Sequence, residues 1–112
     1  MTVISQPKTD LLSAENITIE DVIATANYVN ASEKNKIAYA EKTEQELAKP
    51  GKKNYLALGA SLAILGKYEK AAELLEKADD SKEKYCELAF CLRKIGQFDK
   101  AIEAIDKAAH AG

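Results

Sequence analysis

Residues 65–78 and 95–108 are two copies of one pattern, and no other feature of the chain restricts the fold as much. The first reads Leu65-Gly66-Lys67-Tyr68-Glu69-Lys70-Ala71-Ala72-Glu73-Leu74-Leu75-Glu76-Lys77-Ala78. The second reads Ile95-Gly96-Gln97-Phe98-Asp99-Lys100-Ala101-Ile102-Glu103-Ala104-Ile105-Asp106-Lys107-Ala108. Gly, Lys, Ala, Glu, Lys and Ala recur in place, while Tyr and Phe, Glu and Asp, and Leu and Ile exchange like for like. Upstream, Tyr55, Leu58 and Leu62 correspond to Tyr85, Leu88 and Leu92, again at an offset of 30. A fixed period of this length marks stacked repeats, units that bury an apolar face only against a neighbour.

Each unit reads as two helices. Tyr55, Leu58, Gly59, Leu62 and Leu65 recur at steps of three and four, which places them on one helical face. Gly66 then ends the helix as the residue that accepts positive φ. Ala71, Leu75 and Ala78 form the inner stripe of the second helix. The next hairpin uses Tyr85, Leu88, Ala89, Leu92 and Ile95, then Gly96, then Phe98, Ala101, Ile105 and Ala108. Small residues such as Gly59 and Ala71 allow the paired helices to approach closely.

The first half is less regular. Thr18 with Asp21 reads as a capping box opening a helix to about Val29, with Ile19, Val22, Ile23, Ala26 and Val29 as its stripe. Ser32 caps a further helix in which Ile37, Ala40, Glu44 and Leu47 share a face, and Pro50-Gly51 stops it. The expected organisation is a disordered or extended segment over 1–17, a degenerate hairpin over 18–50 and two regular hairpins over 51–112. That is an all-α chain of about six helices, stacked as antiparallel hairpins in a short solenoid. Composition agrees: of 112 residues 46% are hydrophobic but only 6% aromatic, so the core is built from Ala, Leu and Ile.

Charge and cysteine usage exclude several functions. A net charge of −2 with both signs interspersed lacks the basic field that phosphate binding needs, so no nucleic acid is expected as a partner. The apolar stretch Tyr55 to Leu65 falls short of the ~20 residues that span a bilayer, so no membrane role is expected. Met1 to Leu12 has no charged start followed by an apolar core, so no secretory leader is expected. Cys86 and Cys91, five residues apart, point in different directions on a helix. Two free thiols fit a reducing compartment, the cytoplasm. With one histidine, His110, they are too few for a metal site, and no cofactor is expected. Lys49, Lys52 and Lys53 around Pro50-Gly51 read as a solvated turn, and no catalytic constellation is present, so an enzyme is not expected.

The residues resemble the tetratricopeptide repeat: an aromatic, Leu-Gly and a large residue in the first helix, then Ala among large and small residues in the second. Tyr55, Leu58, Gly59, Leu62, Gly66, Tyr68, Ala71, Leu75 and Ala78 match it. So do Tyr85, Leu88, Leu92, Gly96, Phe98, Ala101, Ile105 and Ala108, with Ala89 replacing the first Gly. The offset of 30 is shorter than the usual ~34, and Asp79-Asp80-Ser81-Lys82 stands where the family has Pro. A shorter unit should alter the superhelical curvature.

By this resemblance the first helix of each hairpin lines a concave surface. Lys53, Leu56, Ala60, Ala63 and Ile64 would face it from one repeat, and Glu83, Cys86, Phe90, Arg93 and Lys94 from the next. The family's clamp of Lys and Asn on acidic C-terminal tails of heat-shock proteins is not expected, because Leu56 and Ala60 occupy its places. An apolar floor of Leu56, Ile64, Cys86 and Phe90 suits an amphipathic helix or an extended apolar peptide. The leading expectation is a protein-binding module. Two others stand beside it: a chaperone resembling those of type III secretion, and a self-assembly module. No polar helix follows Ala108, so the last hairpin is expected to pair with a partner or with a second copy as a homodimer.

Overall fold

The computed structural model describes residues 6–111. Among them are six helices and no strand: α1 (Ile19–Val29), α2 (Glu33–Ala48), α3 (Tyr55–Ile64), α4 (Tyr68–Glu76), α5 (Lys82–Lys94) and α6 (Phe98–Ala111). The part of the N-terminal expectation that concerns residues 1–5 lies outside the described residues. Residues 6–17 contain no helix, yet Leu11 is fully buried and Ile17 nearly so.

Local chemistry sets the helix ends. The Asp21 amide donates to Thr18 Oγ1 at 3.1 Å, and the Thr18 amide donates to the Asp21 carboxylate at 2.9 Å, completing a capping box. Ser32, Asn54 and Ser81 cap α2, α3 and α5 by accepting amide bonds at 3.0–3.1 Å. The two repeats stop in the same way. Gly66 and Gly96 adopt φ of 82° and 83°. The Lys67 amide then donates to the Leu62 carbonyl at 2.9 Å and the Gly66 amide to Ala63 at 3.0 Å, with the same pair from Gln97 and Gly96. These are paired Schellman closures, and a side chain at either glycine would be strained.

Helix α3 is the centre of the molecule, with Ala57 through Ala63 all buried. Gly59 is required there. A Cβ at this position would lie 2.6 Å from Leu75 Cγ, so α3 and α4 meet at the distance of bare backbone. The main core joins α3 to α6 through Leu58, Leu62, Leu75, Leu88, Cys91 and Leu92, and a smaller cluster gathers Leu11, Ile17, Val22 and Ala60.

Helix α5 also closes the end of α4. The Lys84 ammonium, buried in the structure, donates to the Ala78 carbonyl at 2.8 Å and reaches the Glu76 carbonyl at 3.4 Å and Asp80 Oδ1 at 3.3 Å. A cation at a helix C-terminus meets both unpaired carbonyls and the negative end of the dipole.

Three stripes differ from the pattern reading. On α1 the inner face is Val22, Thr25 and Val29, while Ile23 is exposed. On α2 the fully buried residue is Thr43, whereas Ile37 and Glu44 face outward. Both threonines return their hydroxyl to the carbonyl four residues back, Thr25 to Asp21 at 2.9 Å and Thr43 to Tyr39 at 2.8 Å. They therefore pack as apolar side chains despite their hydroxyls. On α6 the buried stripe is Ala101, Ala104 and Ala108, which lets α6 lie close against α5. Phe98 and Ile105, expected inside, are outside with Ile102.

Candidate functional site

The first helices of the two regular hairpins, α3 and α5, lie in contact and present the expected partner-binding residues. Their surroundings are unequal. On α3, Ala60 is fully buried beneath Leu11, Ile17 and Val22, and Ala63 is buried in the main core. Leu56 and Ile64 are half-buried against the same N-terminal cluster. Lys53 precedes α3 and donates to the Lys49 carbonyl. Thus the α3 part of the surface is already covered by the chain itself.

Two polar contacts hold that cover in place. Asn54 Nδ2 donates to the Ala14 carbonyl at 3.0 Å, and Lys42 Nζ meets Asp10 Oδ2 at 2.5 Å. Burial raises the Asp10 carboxyl, but the Lys42 bond and charge outweigh it and hold the group below its ordinary value. Between this segment and the α1–α2 hairpin lies a hollow of about 290 Å³ lined by Asp10, Thr25, Tyr28, Tyr39 and Lys42 among others. Sequence reasoning missed it because its walls come from three separated segments. The Tyr39 hydroxyl is hydrogen-bonded to Ser61 at 2.7 Å, and burial pushes it up to about 12.

The α5 part is open. Phe90 stands 30 positions after Ala60 and is 38% exposed. Its ring meets Tyr68 edge to face, with centroids 5.8 Å apart at 70°. Lys94 Nζ caps both rings, 5.5 Å from the Phe90 centroid and 6.0 Å from that of Tyr68. Arg93 and Lys94 are exposed, and Glu83 and Cys86 half-buried. The structure therefore brings Phe90 and Lys94 together with Tyr68, a residue the sequence reading had assigned only to the repeat pattern.

Burial, with the Glu87 charge second, pushes the Cys91 thiol up to about 12, which leaves it protonated and unreactive. Among the described residues no group of three or more His, Cys, Asp or Glu is placed to hold a metal. No described helix is long and apolar enough to cross a membrane.

A family model described as tetratricopeptide repeat matches residues 53–85 and 83–109, the span of the two regular hairpins. Searches among curated proteins and among solved structures return no match.

Proposed function

The chain belongs to the tetratricopeptide repeat family, whose repeats are generally protein–protein interaction modules without catalysis, and we propose that it binds an apolar peptide or amphipathic helix of a partner protein. The binding face is centred on Cys86 and Phe90 of α5, with Leu56 and Ile64 of α3, half-buried under the N-terminal segment, only at its margin. Lys53 and Glu83 flank it at one end, Arg93 and Lys94 at the other. Ala60 contributes only by being small enough to be covered.

One observation carries this reading. The chain already lays an irregular segment bearing Leu11 and Ile17 over the Ala60 face, while the same face one repeat later, at Phe90, is uncovered. A surface that accepts an apolar segment of its own chain has the shape and polarity to accept another. The exposed aromatic edge beside a cation suits a segment with alternating apolar and acidic residues. Two unpaired thiols support a cytoplasmic location for the complex.

The test is retention of a companion after purification from the native lysate. Phe90→Glu should lose a stoichiometric companion that the unaltered chain retains, with the circular dichroism spectrum unchanged. Equal retention by both would refute the assignment of this face.

A further inference from the structure

Helix α6 carries a second exposed apolar surface. Phe98, Ile102 and Ile105 lie at i, i+4 and i+7, so they share one face. They are 61%, 64% and 59% exposed. The internal repeat says what such a face does. Thirty residues earlier the corresponding positions on α4 are Tyr68, Ala72 and Leu75, and there Ala72 and Leu75 are buried. On α6 the alanine has become an isoleucine, a larger apolar residue where a face left to water would be polar.

The charges repeat as well. Glu69, Lys70, Glu73, Glu76 and Lys77 are answered by Asp99, Lys100, Glu103, Asp106 and Lys107. On α6 the apolar stripe is bordered by Ala101, Ala104 and Ala108 on the side facing α5. On the free side, helical periodicity puts Asp99, Glu103 and Asp106. Leu75 packs on Gly59 of its own hairpin partner α3, and the helix that next packs on α4 is α5, which has four cations (Lys82, Lys84, Arg93, Lys94) against two carboxylates (Glu83, Glu87). It runs antiparallel to α4, with Lys94 at the Tyr68 end and Lys84 at the Glu76 end.

We propose that the Phe98–Ile102–Ile105 face of α6 docks a basic amphipathic helix of a partner protein, antiparallel to α6, in the way that α5 covers α4. A second copy of this chain fits less well. The exposed isoleucine of α1, Ile23, sits on a helix whose charged residues are Glu20 and Asp21, and α6 against itself would oppose Asp99 and Asp106 to their own copies. Like charges so placed are unfavourable.

The probe is a hydrocarbon-stapled peptide with the sequence of residues 82–94 and both cysteines replaced by alanine, together with a version whose lysines and arginine are glutamate. Fluorescence anisotropy against the whole chain should show saturable binding of the basic peptide and about tenfold weaker binding of the acidic one. Ile102→Glu and Ile105→Glu, both at exposed positions, should abolish it with the helical signal intact, while Phe90→Glu should leave it unchanged. Absent binding or equal binding of the two peptides would overturn the proposal, as would loss with Phe90→Glu and not with Ile102→Glu. A dimer in sedimentation velocity that Ile102→Glu converts to monomer would assign the face to a second copy instead.

Discussion

Replacing Lys84 by methionine removes a charge while keeping the stem that packs beside α4. In the structure the ammonium is directed at three oxygens: the Ala78 carbonyl at 2.8 Å, the Asp80 carboxylate at 3.3 Å and the Glu76 carbonyl at 3.4 Å. Only the first is short. A hydrogen bond to a charged donor contributes about 1.5–3 kcal/mol, and a partly buried cation at a helix C-terminus up to about 2 kcal/mol. Against this, methionine does not incur the several kcal/mol needed to desolvate an ammonium. The released carbonyls also lie beside exposed Glu76 and half-buried Ala78, where water can reach them. The balance is a loss of about 2 kcal/mol, or roughly 10 °C in Tm for a domain of this size. Thermal unfolding followed at 222 nm measures it. The control is Asp80→Asn, because the Asp80 side chain is 79% exposed and its pair with Lys84 is largely hydrated. That variant should shift the midpoint much less. If Lys84→Met moved Tm by under about 2 °C, or if Asp80→Asn were equally harmful, closure of α4 by the ammonium would be wrong.

Three further outcomes follow from the packing and the titrating groups. Gly59→Ala should destabilise by about 1–3 kcal/mol in urea despite alanine's better helix propensity, because its methyl overlaps Leu75, and a stabilised variant would refute the close approach. In the native protein a disulfide reagent should modify Cys86 and spare Cys91, which becomes reactive only on unfolding; equal rates for the two would contradict the burial of Cys91. Burial raises the Glu87 carboxyl above its ordinary value, so the fold favours its neutral form. The cost is absent below the unfolded pKa and complete above the raised folded one, so Glu87→Gln should increase the urea midpoint near pH 8 and leave it unchanged near pH 3. The same increase at both pH values would remove titration as the cause.

The repeat made the four C-terminal helices readable, because each position was written twice and the closing glycines had the same task in both copies. What escaped the pattern has identifiable causes. Thr25 and Thr43 count as polar in any periodicity, yet a bond to their own helix carbonyl lets them fill core positions. On α6 the expected stripe joined Phe98 and Ile105 to Ala101 and Ala108. The packing instead selected Ala101, Ala104 and Ala108, since close helix contact depends on small side chains as much as on hydrophobicity. At the candidate site, Phe90 could be singled out because it was an apolar residue left over after the core stripe was filled. That Ala60 is closed could not be read, because its cover comes from Leu11 and Ile17 far away in the chain. The role of Tyr68 was hidden for a similar reason: its contact with Phe90 crosses from one hairpin to the next.

The N-terminal cover also bears on the order in which the molecule assembles. From α3 to α6 the strongest associations join neighbours in sequence, which close short loops and form quickly. The bonds that hold residues 6–17 are of another kind: Lys42 to Asp10 spans 32 residues and Asn54 to Ala14 spans 40. Closing loops of that length has a larger entropic cost and gains little until α2 and α3 are already in place. The expected order is therefore that the cover forms last and opens first. In hydrogen exchange the amides of α3 facing Leu11 and Ile17 should divide into two classes, those protected by the whole fold and those released when the cover alone lifts.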